Sequence, residues 1–328
     1  MSILITGGAG YIGSHTAKFF LKKNEDIIIC DNLQSGHEKS VEGIPLYKVD
    51  LRNEAELNRL FEENNIDTVV HFAANSLVGE SMENPYKYYH NNVYGMLCLL
   101  NTMKKHDVRR IVFSSSAATY GEPTNIPIKE TDLTNPTNTY GETKLTMEKM
   151  MKWFEKAYGI QYVSLRYFNA AGAHESGSIG EDHSPETHLI PIVLQVALGK
   201  REKISIYGDD YPTRDGTCIR DYVHVMDLAK AHYLAVHHLI NGGHSDIFNL
   251  GSGKGFSVKE IIDSARQITG QEIASVIGER RKGDPAILIA SSDKAKEILN
   301  WEPDFDSIDR IIEDAWRWHR NNPNGYQN

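Results

Sequence analysis

Tyr140 and Lys144 stand four residues apart in the run Asn138-Thr139-Tyr140-Gly141-Glu142-Thr143-Lys144. Four residues are about one helical turn, so a helix beginning near Tyr140 sets the phenol and the ammonium side by side on one face. A free tyrosine has a pKa of about 10, and an adjacent cation lowers it by roughly one to three units, towards the range of a general base. By itself the spacing describes a solvated surface pair equally well. Two upstream features give it chemical context: a glycine-rich turn near the N-terminus and a serine run, Ser114-Ser115-Ser116. In this order the three specify redox chemistry on a bound nicotinamide.

The turn is Thr6-Gly7-Gly8-Ala9-Gly10-Tyr11-Ile12-Gly13, between an apolar strand and a helix beginning about Gly10. Glycines there allow a tight turn and close approach of backbone to a pyrophosphate, and the helix N-terminus offers unpaired N–H groups and a positive dipole. Gly7, Gly10, Tyr11, Ile12 and Gly13 are therefore cofactor candidates. The second strand ends in Asp31, 18 residues beyond Gly13, close to the spacing of an acid that binds the adenosine ribose hydroxyls. A carboxylate at that point repels a 2′-phosphate, so NAD is expected rather than NADP. Asp31 with Asn32 also fits a capped turn. Asp50-Leu51 ends the third strand, where side chains meet an adenine, and His71-Phe72-Ala73-Ala74 ends the fourth at the carboxyl edge. His71 reads as a core or supporting histidine rather than a metal ligand.

The serine run ends the fifth strand, where a hydroxyl is placed to hydrogen-bond a substrate oxygen during proton transfer. Strand-end capping is the alternative on local grounds. No P-loop, acidic nucleophile or Cys/His metal cluster competes for the chemistry. His183 and His188 lie five apart in a loop and His237-His238 are adjacent in a helix. Neither pair is a persuasive ligand set, His224 is unsupported as a ligand, and no metal is expected.

The elements that must position these residues are legible from periodicity. Short β-branched runs at Ile3–Thr6, Ile27–Asp31, Leu46–Val49, Thr68–Phe72, Ile111–Ser115 and Tyr162–Arg166 alternate with helical stretches. That pattern predicts an α/β fold, a doubly wound parallel Rossmann-type sheet covered on both faces. Beyond about Asn169 the pattern becomes irregular, with helices near 188–199, 257–269 and 306–320 separated by short strands, and predicts a smaller mixed α/β region. The segment from about Val225 to Asn249, a helix then an apolar strand, is expected to return to the first domain. The division is thus 1–169, with about 225–249 returning, and the remainder of 170–328.

With 328 residues the chain is long enough for a large core, which excludes a small binding module. A net charge of -9 argues against general nucleic-acid binding. No apolar run reaches the length of a membrane span, and no basic leader precedes the first strand, so a cytoplasmic location is expected. Cys30, Cys98 and Cys218 are odd in number and widely spaced, as reduced thiols are.

Further segments add specificity: Asp31-Asn32-Leu33, Val78-Gly79-Glu80-Ser81, Tyr88-Tyr89-His90-Asn91-Asn92-Val93, Leu165-Arg166-Tyr167-Phe168-Asn169, Gly208 to Thr213, Asp215 to Asp227 and Asn249 to Gly253. With these, essentially the whole chain resembles the extended short-chain dehydrogenase/reductase family, in its branch that epimerises nucleotide sugars. The resemblance implies reversible C4 inversion of UDP-glucose and UDP-galactose through a 4-keto sugar, with tightly bound NAD. It implies Tyr140 as the proton acceptor, Ser116 on the same sugar oxygen and Lys144 on the nicotinamide ribose. It adds Leu33, Ser35, Gly36, Asn91 and Phe168 to the NAD site. Asn169, Leu189, Tyr207, Arg220, Arg281, Asp284 and Leu288 fall to the UDP-hexose site, which makes residues 170–328 the UDP-sugar domain. The two guanidinium groups suit a diphosphate.

Two positions depart from the family pattern. Ser76 stands where some members carry lysine. Leu288 stands where a bulky tyrosine closes the sugar pocket in some members and a smaller residue admits N-acetylated sugars, so UDP-N-acetylglucosamine is an expected second substrate. Dehydratases of the fold carry an Asp-Glu pair where this chain has Ala117-Ala118, which disfavours elimination. Decarboxylation within the fold is the related alternative, and a non-catalytic NAD-sensing regulator would have no need of Tyr140, Lys144 and the arginines. The resemblance also implies a homodimer through helices near 85–106 and 140–158.

Overall fold

Seven parallel strands form the centre of the molecule. In the computed structural model, which describes residues 1–281 and 284–326, they are β1 (Ser2–Thr6), β2 (Ile27–Cys30), β3 (Leu46–Tyr47), β4 (Ile66–His71), β5 (Arg110–Ser114), β6 (Gln161–Tyr167) and, after four short strands elsewhere, β11 (Asp246–Leu250). Their order is β11-β6-β5-β4-β1-β2-β3. The order reverses between β1 and β4, and the carboxyl ends of strands at such a switch point frame a crevice. The strands match the predicted runs to within a few residues. β3 is shorter than predicted, because the chain after Tyr47 turns: Val49 N donates back to the Tyr47 carbonyl (3.0 Å).

Both sheet faces are buried, which is why these strands read as apolar runs rather than alternating ones. Alternate residues feed two cores. Ile3, Ile5, Ile27, Ile29, Val70 and Val112 face helices α1 (Tyr11–Lys22) and α8 (Val225–Ile240), meeting Phe20, Leu228 and Ala231. Leu4, Ile28, Val69, Ile111 and Phe113 face α2 (Glu54–Glu63), α5 (Gly95–Lys105) and α6 (Thr139–Tyr158), meeting Leu57, Leu99, Met147 and Met151. Two short helices, α3 (Val78–Glu83) and α4 (Pro85–Tyr88), lead into α5 through a π-helical stretch, Tyr89–Tyr94. Wide turns of this kind displace side chains from the regular helical register. Here the stretch contains Asn91 and Asn92, and the Asn92 Oδ1 accepts from Asn75 N (2.8 Å).

A third core joins α7 (Leu189–Ala197), α9 (Val258–Thr269) and α11 (Ile308–Asn321) through Ile190, Leu194, Ile262 and Ile312. Around it run β7 (Asn169–Ala171), parallel to β10 (Tyr222–His224), and β8 (Ile204–Tyr207), parallel to β13 (Ser275–Gly278). Strand β9 (Ile219–Arg220) lies between β12 (Phe256–Ser257) and β14 (Ile287–Leu288). Helix α10 (Asp293–Leu299) follows β14 and contributes Ala295 and Leu299 to the core under α8. No helix among the described residues is long and apolar enough to cross a membrane. The three cysteines are buried and unpaired.

Candidate active site

One cavity of about 740 Å³ runs along the carboxyl edge of the sheet. Volumes of this order are those of ligand pockets. It begins at the switch point. A methyl group on Gly7 would stand 2.5 Å from Ala73 N, and one on Gly13 would stand 2.3 Å from the Gly7 carbonyl, so the turn closes against the end of β4 only with glycine at both places. Gly10 differs: a methyl there meets nothing nearer than the Gly7 carbonyl at 3.4 Å, because that face opens into the cavity. No side chain caps the start of α1. Tyr11, Ile12, Asn32, Ser35, Gly36, Leu51, Phe72, Ala73, Ala74 and Asn91 line the same stretch of wall.

The Asp31 carboxylate accepts from Ala9 N (3.0 Å) and Leu33 N (2.8 Å) and lies on the wall. Burial raises its pKa and those two N–H groups oppose the rise. Leu33 does not line the cavity; it packs against the core under α1, at φ 58°. Asp50 lines the wall but is also tied to Arg52 Nε (2.8 Å) and Asn32 Nδ2 (3.2 Å), which hold its carboxyl well below the usual range.

The three serines divide their tasks. The Ser114 hydroxyl bonds the Tyr167 phenol, Ser115 donates to Glu148 Oε1 (2.6 Å) away from the cavity, and Ser116, which lines the cavity as Ser114 does, stands at the start of a one-turn 3₁₀ segment, Ala117–Thr119. Ser116 Oγ accepts from Ala118 N (3.1 Å), which fixes its rotamer. Across from it, Asn138 caps α6 by accepting from Gly141 N (2.8 Å), and Ser81 Oγ accepts from Tyr140 N (3.1 Å). These bonds set the first turn of α6, and with it Tyr140, against the cavity.

Lys144 is buried beneath Tyr140. Its Nζ donates to the Ser114 carbonyl (2.7 Å) and lies 5.7 Å from the centre of the Tyr140 ring. Burial brings the Lys144 amine down to about 7, with Glu148 acting against the shift. This corrects one sequence expectation. The protein's own groups push the Tyr140 phenol above its ordinary value, through burial first, while the Ser116 hydroxyl opposes. The ammonium is engaged by a backbone carbonyl under the ring, and desolvation of the phenolate outweighs it.

His71 is a buried neutral imidazole against the Thr6 hydroxyl (2.7 Å), brought to about 3 by burial and then by the Lys144 charge. Sequence reasoning missed Glu148, which pairs with Arg166 (Nε 2.9 Å) in the dry interior below Ser115. A signal was present: Tyr140, Lys144 and Glu148 recur at i, i+4 and i+8, one stripe of α6.

The far half of the cavity is lined by Phe168, Asn169, Leu189, Tyr207, Arg220, Arg281, Asp284 and Leu288. Asn169 donates through Nδ2 to the Asp221 carbonyl (3.1 Å), where β7 meets β10. Arg220 is ion-paired with Asp284. The Arg281 guanidinium stacks 4.0 Å from the centre of the Tyr207 ring. Leu288 lies on β14 beside Arg220, in register with it. Ser76, Ala117 and Ala118 are also wall residues.

These features fit a dinucleotide. The open face of Gly10, the uncapped start of α1, the Asp31 carboxylate and the Asn75 Nδ2, a buried donor on the cavity wall with no partner among the described residues, converge on one half of the cavity. A doubly wound sheet with that turn, and with Ser116, Tyr140 and Lys144 gathered at its edge, defines an NAD-dependent enzyme of the short-chain dehydrogenase/reductase type. The sequence model of the NAD dependent epimerase/dehydratase family matches residues 3–251, and the chain belongs to that family.

Relatives agree over the full length. The UDP-glucose 4-epimerase of Halalkalibacterium halodurans is 61% identical over 326 residues, covering 99% of this chain and 98% of the relative. A crystal structure of a UDP-glucose 4-epimerase superposes with a TM-score of 0.99 at 57% identity, covering 100% of both chains. The UDP-glucose 4-epimerase of Bifidobacterium longum, solved in complex with NAD+ and UDP, superposes with a TM-score of 0.94 at 42% identity, covering 99% of this chain and 100% of that one.

Proposed function

We propose that the protein interconverts UDP-glucose and UDP-galactose by inverting C4 of the sugar. The observation that carries this reading is the single continuous cavity, with the glycine turn and Asp31 in one half, Arg220 and Arg281 in the other, and Tyr140 with Ser116 on its wall. Bound NAD supplies a hydride acceptor that takes the C4 hydrogen and returns it. The backbone of Gly7 to Gly13 holds its pyrophosphate, Asp31 its adenosine ribose, and Lys144 its nicotinamide ribose.

Tyr140 takes the proton of the 4-hydroxyl and gives it back to the inverted sugar, and Ser116 holds the same oxygen by a hydrogen bond. Arg220 and Arg281 grip the diphosphate, each through a planar fork. Firm binding therefore falls on the nucleotide, which leaves the 4-keto sugar free to present its other face. Residues 1–169 with the returning 225–249 segment form the NAD half, and the rest of 170–328 forms the UDP-sugar half. Ala117 and Ala118 beside Ser116 provide no acid to expel a hydroxyl, which supports epimerisation over dehydration. Leu288, of intermediate bulk on the sugar wall, supports N-acetylated UDP-hexoses as a second substrate pair.

A homodimer is supported by the outer faces of α5 and α6. Leu97 and Trp153 are 44% and 63% exposed, and Leu97, Phe154 and Tyr158 line a shallow groove between the two helices. The three unpaired thiols support a cytoplasmic setting.

The decisive experiment supplies UDP-galactose to the purified protein without added NAD and follows UDP-glucose, then repeats the assay with the N-acetylated pair. Conversion without external cofactor is expected. A 4-keto-6-deoxy product, or no reaction by a folded, NAD-loaded protein, overturns the epimerase reading. Turnover confined to the hexose pair removes the N-acetyl extension.

A further inference from the structure

Glu181, His183, Glu186 and His188 converge on the loop that leads into α7, with His183 and His188 on the cavity wall. One ligand atom from each lies within 4.8 Å of all the others. His188 Nδ1 bonds Glu181 Oε1, and His183 Nδ1 stands 3.2 Å from the same oxygen. Glu186 completes the group, with Oε2 at 3.9 Å from His183 Nδ1 and Oε1 at 3.9 Å from His188 Nδ1. We propose that these four side chains form a structural site for a divalent transition-metal ion, best suited to zinc.

The donor set and its spacing favour this occupant. Two imidazole nitrogens and two carboxylate oxygens at about 2.0–2.2 Å from a tetrahedral zinc stand roughly 3.3 Å apart, close to the separations in the cluster. The Glu181 and Glu186 side chains are 4% and 5% exposed, so their charges need internal compensation. Two imidazolium rings 5.4 Å apart, aimed at one carboxylate oxygen, provide it only at the cost of repelling each other. A single dication removes that conflict, because both rings then donate lone pairs in the neutral state.

The surroundings are already ordered. Glu186 Oε1 accepts from Thr187 N (2.7 Å) and His188 N (2.8 Å), which orients the carboxylate as outer-sphere hydrogen bonds orient metal ligands. Trp318 Nε1 donates to the Glu181 carbonyl (3.1 Å), Tyr326 N donates to Asp182 Oδ2 (2.8 Å), and Gly180 packs where a methyl would collide with the Trp318 ring. On the other side the Tyr11 ring meets His183 edge-on, and the Tyr11 hydroxyl donates to the Gly172 carbonyl (2.6 Å). Four protein ligands leave no open position, so the ion cross-links the loop before α7, against which Tyr11 of α1 packs, and takes no part in the chemistry. The sequence spacing made His183 and His188 an unpersuasive ligand pair and led to the expectation of no metal; the carboxylates at 181 and 186, brought to the same point by the fold, complete the set.

The test uses the full-length, NAD-loaded protein stripped with a strong chelator and then titrated with zinc chloride against a chromophoric zinc indicator. The expected result is one zinc per chain with Kd below about 1 µM, and an intense visible band on cobalt(II) loading, as four-coordinate cobalt gives. His183→Gln and His188→Gln each weaken zinc binding by at least about 10-fold while keeping far-ultraviolet circular dichroism and bound NAD. The proposal is overturned if the folded wild type binds zinc no more tightly than these variants, which would make the cluster an ion-pair network only. Should a variant fail to fold, the wild-type cobalt spectrum decides alone: no four-coordinate band at saturating cobalt overturns the site.

Discussion

Tyr140 was legible from its spacing to Lys144, but the direction in which the fold shifts its phenol was not. Proximity of a cation was the sequence argument; in the fold, burial raises the phenol and Lys144 spends its hydrogen bond on the Ser114 carbonyl. Depth below a surface has no one-dimensional signature, so the sign of that shift was hidden. The chemical role still yields a sharp expectation. Tyr140→Phe removes the proposed proton acceptor and little else, so turnover is expected to fall by a factor on the order of 10²–10⁴. NAD content after gel filtration and UDP affinity remain at wild-type levels. Loss of folding in that variant would mark the residue as structural instead. The same limit explains Arg220 and Arg281: their presence was readable, whereas the Asp284 pairing and the Tyr207 stack depend on contacts made far along the chain.

At the scale of elements, the close seating of α6 against the 3₁₀ segment is what brings Tyr140 and Ser116 to one wall. Gly141 makes the approach possible, since a methyl group there would stand 2.4 Å from the Ala118 carbonyl. Gly141→Ala forces the helix outwards, and overpacking of this kind costs about 1–3 kcal/mol. Both the urea midpoint and kcat are expected to drop, and a crystal structure of the variant should show Tyr140 displaced from Ser116. Unchanged kcat would mean that the spacing is not critical. Sequence periodicity found the strands and long helices because buried parallel strands are continuous apolar runs and α6 carries a capped start. It missed the π-helical stretch at Tyr89–Tyr94, whose register depends on Asn92 reaching Asn75 and Thr143 rather than on local pattern.

For the whole molecule, buried histidines tie stability to pH. His232 is fully buried between Phe72 and Tyr167, and burial takes it down to about 4, against a bond to the Leu228 carbonyl. Above pH 6.5 neither state holds the proton. As pH falls, the unfolded chain takes up a proton that the fold refuses until about pH 4, so stability declines across that window. His232→Leu is free of this penalty, and from pH 7 to pH 5 its unfolding free energy should gain about 2 kcal/mol relative to wild type, as read by urea titration. An unchanged difference would place the proton elsewhere.

Assembly is tested at the same scale. Leu97→Asp combined with Trp153→Glu should convert a dimer to a monomer in sedimentation velocity, and a species of unaltered mass would exclude α5 and α6 as the interface. The architecture of the first half was readable over six strands because most are apolar runs separated by long helices, as β1, β3, β4 and β5 are by α1, α2, α5 and α6, whereas the second region relies on two- to four-residue strands too short to carry a period.

The return of α8 and β11 to the central sheet has a consequence for how the chain is made. Until roughly residue 250 has left the ribosome, β6 presents an unpaired edge and Phe20, Val112 and Leu165 lack the apolar partners that Leu228, Ala231 and Phe248 later provide. The nascent chain therefore completes its first layer only after a large part of the second has been synthesised, and its exposure to aggregation and to chaperones spans much of translation.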